Sequence, residues 1–97
     1  MTRLVFAPQA AQYLKRLTEF LLETDPYAAN ETVNVLIDGL RILIQHPLAG
    51  RSIEQDYREL VISRGRTGYV ALYSHDATRN LALLLAIRHQ PERWFVE

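Results

Sequence analysis

The sequence predicts an α+β fold. It orders a short N-terminal strand, an antiparallel helical hairpin, and a mainly antiparallel sheet that closes in a C-terminal three-stranded meander. Three observations carry this. Apolar residues recur at three- and four-residue steps through 10–21 and again through 33–44, the period of one helix face. Each of these segments follows a proline, Pro8 or Pro26, placed where a first helical residue lacks nothing by lacking an N–H. Beyond residue 56 the period changes to runs of β-formers separated by turn residues.

RLVF at 3–6 is a brief apolar stretch before a proline and reads as the first strand. Ala10, Tyr13, Leu14, Leu17, Phe20 and Leu21 then mark one face of a helix that ends near Glu23 or Thr24. Asp25 can cap the second helix, which Pro26 opens and Pro47 stops. Its apolar face is Val33, Leu36, Ile37, Leu40, Leu43 and Ile44. Gly39 inside that helix costs about 1 kcal/mol relative to alanine, so close packing is expected there. The short connection makes the helices an antiparallel hairpin, and the sheet that follows must cover their apolar faces.

YRELVIS at 57–63 and GYVALYS at 68–74 are the next strands. In the second, Tyr69, Ala71 and Tyr73 share one face while Val70 and Leu72 share the other. SRGRTG between them reads as a hairpin loop, with Gly65 and Gly68 supplying positive φ. NLALLLAIRHQ at 80–90 is apolar on both faces, which predicts a central strand covered on both sides. PERWFVE is a short tail with two large aromatics.

The chain has 97 residues, so the expectation is one domain spanning 1–97. It has no cysteine, which excludes a disulfide framework and a thiolate metal site. His46, His75 and His89 lack metal-ligand spacing, and neither metal nor cofactor is expected. No apolar run approaches the roughly 20 residues that span a bilayer, and no targeting segment is visible; a cytoplasmic location is expected. Eleven basic residues balance eleven acidic ones, which argues against gripping nucleic acid through bulk charge. Ten of those eleven cations are arginine, a planar fork suited to carboxylates and phosphates.

HPLAGR, REL, GYVALY and IRHQ, in this order after a helical hairpin, resemble the ParE branch of the RelE/ParE toxin superfamily. The resemblance covers almost the whole chain. It implies the toxin of a bacterial type II toxin–antitoxin, or plasmid stabilisation, module. Such toxins are neutralised by a cognate antitoxin whose C-terminal segment wraps them and whose N-terminal part binds operator DNA. Direct DNA binding by this chain is not implied, and the expected assembly is a hetero-oligomer with the antitoxin. ParE-like members inhibit DNA gyrase and have no established catalytic residues; RelE-like members cleave mRNA in the ribosome.

Binding to gyrase needs an exposed surface rich in arginine and aromatics, the composition that interfaces favour. Arg64, Arg66, Arg88 and Trp94 are the candidates for target binding, with Arg93 and Phe95 of similar character. Tyr13, Leu17 and Leu21 are candidates to line an antitoxin groove; plain core packing is their ordinary role. The nuclease alternative needs a base, an acid and a cation for the phosphorane, and Glu59, Arg66 and His89 could fill those roles. Zero net charge and the lack of a dense basic patch weigh against it. A third reading is a non-toxic relative that serves only as an antitoxin-binding partner.

Overall fold

The computed structural model describes residues 1–64 and 67–90, except the side chains of Ser63, Arg64 and Thr67. Strand β1 (Arg3–Phe6) leads into helix α1 (Pro8–Thr24) and helix α2 (Pro26–Gln45). A two-residue strand β2 (Arg51–Ser52) and a 3-10 turn (Glu54–Asp56) follow. Strands β3 (Tyr57–Arg64), β4 (Thr67–Asp76) and β5 (Leu81–His89) complete the sheet.

The helix boundaries follow the sequence signals. Pro8 and Pro26 are the first helical residues. A single residue, Asp25, separates the helices. Its carboxylate accepts from Ala28 N–H at 3.2 Å, satisfying one orphan donor of the new helix. Gly39 sits where α2 comes closest to β3. A Cβ there would lie 2.9 Å from Ile62 Cγ2, so a side chain would push the helix off the strand.

The five strands run in the order β1-β5-β4-β3-β2. The β3–β4–β5 meander is antiparallel, as its short connections require. The sheet is mixed because β1 pairs parallel with β5, from Arg3↔Leu81 to Phe6↔Leu84. Thr2 N–H donates to Ile44 O at 2.8 Å, tying the strand's start to the end of α2.

The helices pack on one face of the sheet. Leu36, Leu40 and Leu43 of α2 and Ala10 of α1 meet Ile62, Tyr69, Ala71, Tyr73, Ala82, Leu84 and Ile87 in one buried cluster. Tyr69, Ala71 and Tyr73 share one face, as their alternation predicts, and the structure makes it the core face. The expectation that β5 is covered on both sides is corrected here. Its interior place holds, between β1 and β4, but Leu81, Leu83 and Leu85 are only half-buried. Its unbroken apolar run has a different cause. A bulge at Leu72/Tyr73 skips Leu85, so that Leu84 pairs with Tyr73 and Ala86 with Leu72. The core positions change from even numbers (Ala82, Leu84) to an odd one (Ile87) across it.

Gly68 also departs from expectation. It lies inside β4 opposite Ser63, not at a positive φ. What it supplies is space, since a Cβ there would collide with Gln90 Oε1. Gly65 and Arg66 lie outside the described residues. Among the described residues no helix is long and apolar enough to cross a membrane.

Candidate functional site

The loop 46–50 between α2 and β2 is fastened from beneath. Tyr73 is fully buried, and its hydroxyl donates to Pro47 O at 2.7 Å while accepting from Gly50 N–H at 2.9 Å. Arg58 clasps the same loop from the sheet edge, donating to Gly50 O at 2.8 Å. Sequence patterning puts Tyr73 on one face with Tyr69 and Ala71 but does not show where its hydroxyl goes. Burial raises the Tyr73 pKa above its ordinary 10.0, opposed by the Gly50 hydrogen bond and the Arg58 charge. An acid whose folded pKa is raised loses stabilisation as pH climbs past its unfolded value, because the unfolded state then ionises first. Stability should therefore fall as pH rises above about 10, the unfolded tyrosine value. In Tyr73→Phe that fall should be shallower, on top of a loss of about 1–3 kcal/mol at neutral pH from the unpaired loop groups. Urea melts at pH 7 and at alkaline pH check both.

The other face of the sheet carries a charge cluster. Cross-strand pairing puts Glu59, Leu72 and Ala86 in one row and Val61, Val70 and Arg88 in the next. Leu72 lies between the core residues Ala71 and Tyr73, so both rows face away from the helices. Arg51, paired with Glu59 across β2 and β3, donates to Glu59 Oε1 at 2.8 Å. Arg88 reaches over β4 and sets its Nη2 at 3.9 Å from Glu59 Oε2. Its Nη1 donates to Gln90 O at 2.9 Å. The Glu59 and Arg88 side chains are 10% and 19% exposed, whereas Arg51 is 78% exposed. Among the described residues, two guanidiniums thus flank one sheltered carboxylate.

His89 belongs to the opposite face. It pairs with buried Tyr69, and the two rings meet edge to face at 5.5 Å. Glu59 and His89 are therefore separated by the sheet itself. The remaining candidates divide as follows. Arg66, Arg93, Trp94 and Phe95 lie outside the described residues, as does the side chain of Arg64. Tyr13 and Leu17 pack against the core cluster, and Leu21 is half-buried. Tyr13 also lines a cavity of about 180 Å³ with Gln9, Gln12, Arg16, Ala86 and Ile87.

Sequence reasoning missed Arg51 and the apolar surface at the hairpin's closed end, where Phe20, Leu22 and Tyr27 are exposed. Phe20 was assigned to the core face by its spacing. Neither β2, two residues long, nor its pairing with β3 leaves a readable pattern. Among the described residues no three potential metal ligands come together.

Solved structures of toxin–antitoxin systems share this architecture. A structure of a chromosomal ParDE toxin–antitoxin system from P. aeruginosa superimposes with a TM-score of 0.74 at 20% identity, covering 92% of this chain and 96% of that one. The intact E. coli RelBE toxin–antitoxin complex matches with a TM-score of 0.64 at 17% identity, covering 96% of this chain and all of that one. The fold is thus the RelE/ParE-like α+β fold. Toxin RelE3 of Caulobacter vibrioides is 32% identical over 93 residues, which is 96% of this chain and 99% of the relative. Residues 4–94 match the family model of the ParE toxin of the type II toxin–antitoxin system parDE. On that match and that full-length relative, the chain belongs to the ParE toxin family of type II toxin–antitoxin systems, within the RelE/ParE superfamily.

Proposed function

We propose that this toxin acts as a single domain in the cytoplasm by binding DNA gyrase, and that it breaks no bond itself. One observation carries the reading. Glu59 and His89, the pair that the nuclease alternative offers for proton transfer, point to opposite faces of the sheet. A general acid and a general base must both reach one phosphodiester, within about 3 Å of the atoms they serve. Two residues separated by a sheet do not meet that condition. The match to the ParE family model supports the same side.

Arg88, Arg64, Arg66 and Trp94 form the target-binding set in this reading. An antitoxin neutralises the toxin by laying an apolar segment along the hairpin, with Tyr13, Leu17 and Leu21 as its seat. The exposed Phe20, Leu22 and Tyr27 extend that seat toward the hairpin's closed end, where an amphipathic segment finds further anchors.

The test adds purified toxin to a gyrase supercoiling reaction. Supercoiling should fall with toxin concentration and recover when the antitoxin is present. Undisturbed supercoiling, together with mRNA cut in a ribosome-dependent translation reaction, would assign the nuclease activity instead.

A further inference from the structure

We propose that Glu59 is a positioning residue for toxicity, which sets the Arg88 guanidinium in place on the helix-free face of the sheet. This rests on the reading of Arg88 as a target-facing residue, but not on gyrase being the target.

Arg88 is held from two directions. Its Nη1 is drawn back along its own strand by Gln90 O at 2.9 Å and His89 O at 3.4 Å. Its Nη2 is drawn across the sheet by Glu59, whose carboxylate lies two strands away and one row down the register. Those opposed restraints fix the plane of the guanidinium. The floor beneath is aliphatic, formed by Val70, Leu72 and Ala86 at neighbouring register positions. At 3.9 Å the pull of Glu59 is electrostatic, beyond hydrogen-bond reach. The sheltered setting of both groups strengthens it relative to a surface pair.

Glu59 is itself fixed. Arg51 holds its other oxygen at 2.8 Å from the solvent side. Arg51 thus screens the carboxylate, and among the described residues two guanidiniums face it. A partner's acidic group meets a cation whose position is already set, and binding need not order a long side chain. The exposed Val61, 57% accessible, and Tyr57 stand on either side of Glu59 on the same face. The cluster therefore sits in a surface of mixed apolar and cationic character, as interfaces favour.

The experiment is epistasis in cells, read by survival after inducing the toxin without antitoxin. Glu59→Gln keeps the shape of the side chain and removes its charge. It should restore survival by about tenfold or more, the scale of one partly sheltered charge pair, without a large change in melting temperature. On an Arg88→Gln background, Glu59→Gln should restore nothing further, because it acts through Arg88. In the purified protein the Arg88 Nε–Hε resonance should shift and exchange faster with water in Glu59→Gln. Full toxicity of Glu59→Gln, full toxicity of Arg88→Gln, or losses that add in the double variant would each overturn the assignment. So would a wild-type chain that leaves growth unaffected. If Glu59→Gln does not fold, Glu59→Asp serves instead: wild-type toxicity with a displaced Arg88 resonance would reject the role. Supercoiling reports on gyrase separately, so the two readings fail independently.

Discussion

Leu40→Ala should remove about 2–5 kcal/mol from the unfolding free energy, a large part of the roughly 5–15 kcal/mol that holds a small domain together. Leu40 is fully buried at the middle of the core face of α2, between Leu36 and Leu43, where helix and sheet meet. The neighbouring Gly39 brings the helix close to β3, and the backbone has little room to settle into the space left behind. The cost is then the lost transfer free energy plus that of an unfilled cavity. Urea unfolding followed by circular dichroism measures it. A loss below about 1 kcal/mol would mean that the site collapses freely and the core is centred elsewhere.

Gly50→Ala is the second large effect, about 3 kcal/mol, from crowding instead of a void. An alanine Cβ would stand 2.7 Å from Glu59 O, 2.7 Å from Tyr73 Cε1 and 2.8 Å from the Tyr73 hydroxyl. One neighbour is strand backbone and the other a fully buried ring, so neither can swing aside. Relief comes only by lifting the loop, which breaks the bond from Gly50 N–H to Tyr73 and strains the Arg58 clasp. For a chain of this size the melting temperature should drop by roughly 10–20 °C. The double variant Gly50→Ala, Tyr73→Phe should cost less than the two single losses summed, since both break the same hydrogen bond. Additive losses would show that the two residues act separately.

The arginines that sequence reading proposed for the target surface illustrate what spacing conveys. Arg88 was visible as a strand-end cation beside an apolar run. That it leans on Glu59 was not, because the two are 29 positions apart and meet only when β4 lies between their strands. His89 was placed at the right strand end, yet its proton-transfer partner in the nuclease reading faces the other way. One alternation decides that: Glu59 lies across Leu72 from Ala86, and His89 stands three residues further along β5, all on one side of the bulge at Leu72/Tyr73. A bulge leaves little trace in a run as uniformly apolar as LALLLAI, where any residue could face the core.

Local chemistry in the sequence was enough to determine both helices and the four longer strands, though not the two-residue β2. Prolines opened both helices, Asp25 capped the second, apolar periodicity marked their inner faces, and alternation in GYVALYS sorted β4 into two faces without saying which is the core one. Those signals act within a few residues, so a single chain displays them. Only the tertiary structure decided that β1 runs parallel beside β5, that Tyr73 anchors the loop before β2, and that Arg51, Glu59 and Arg88 converge. Each of these joins segments far apart in the chain, and periodicity specifies which face a residue turns without specifying which neighbour it meets there.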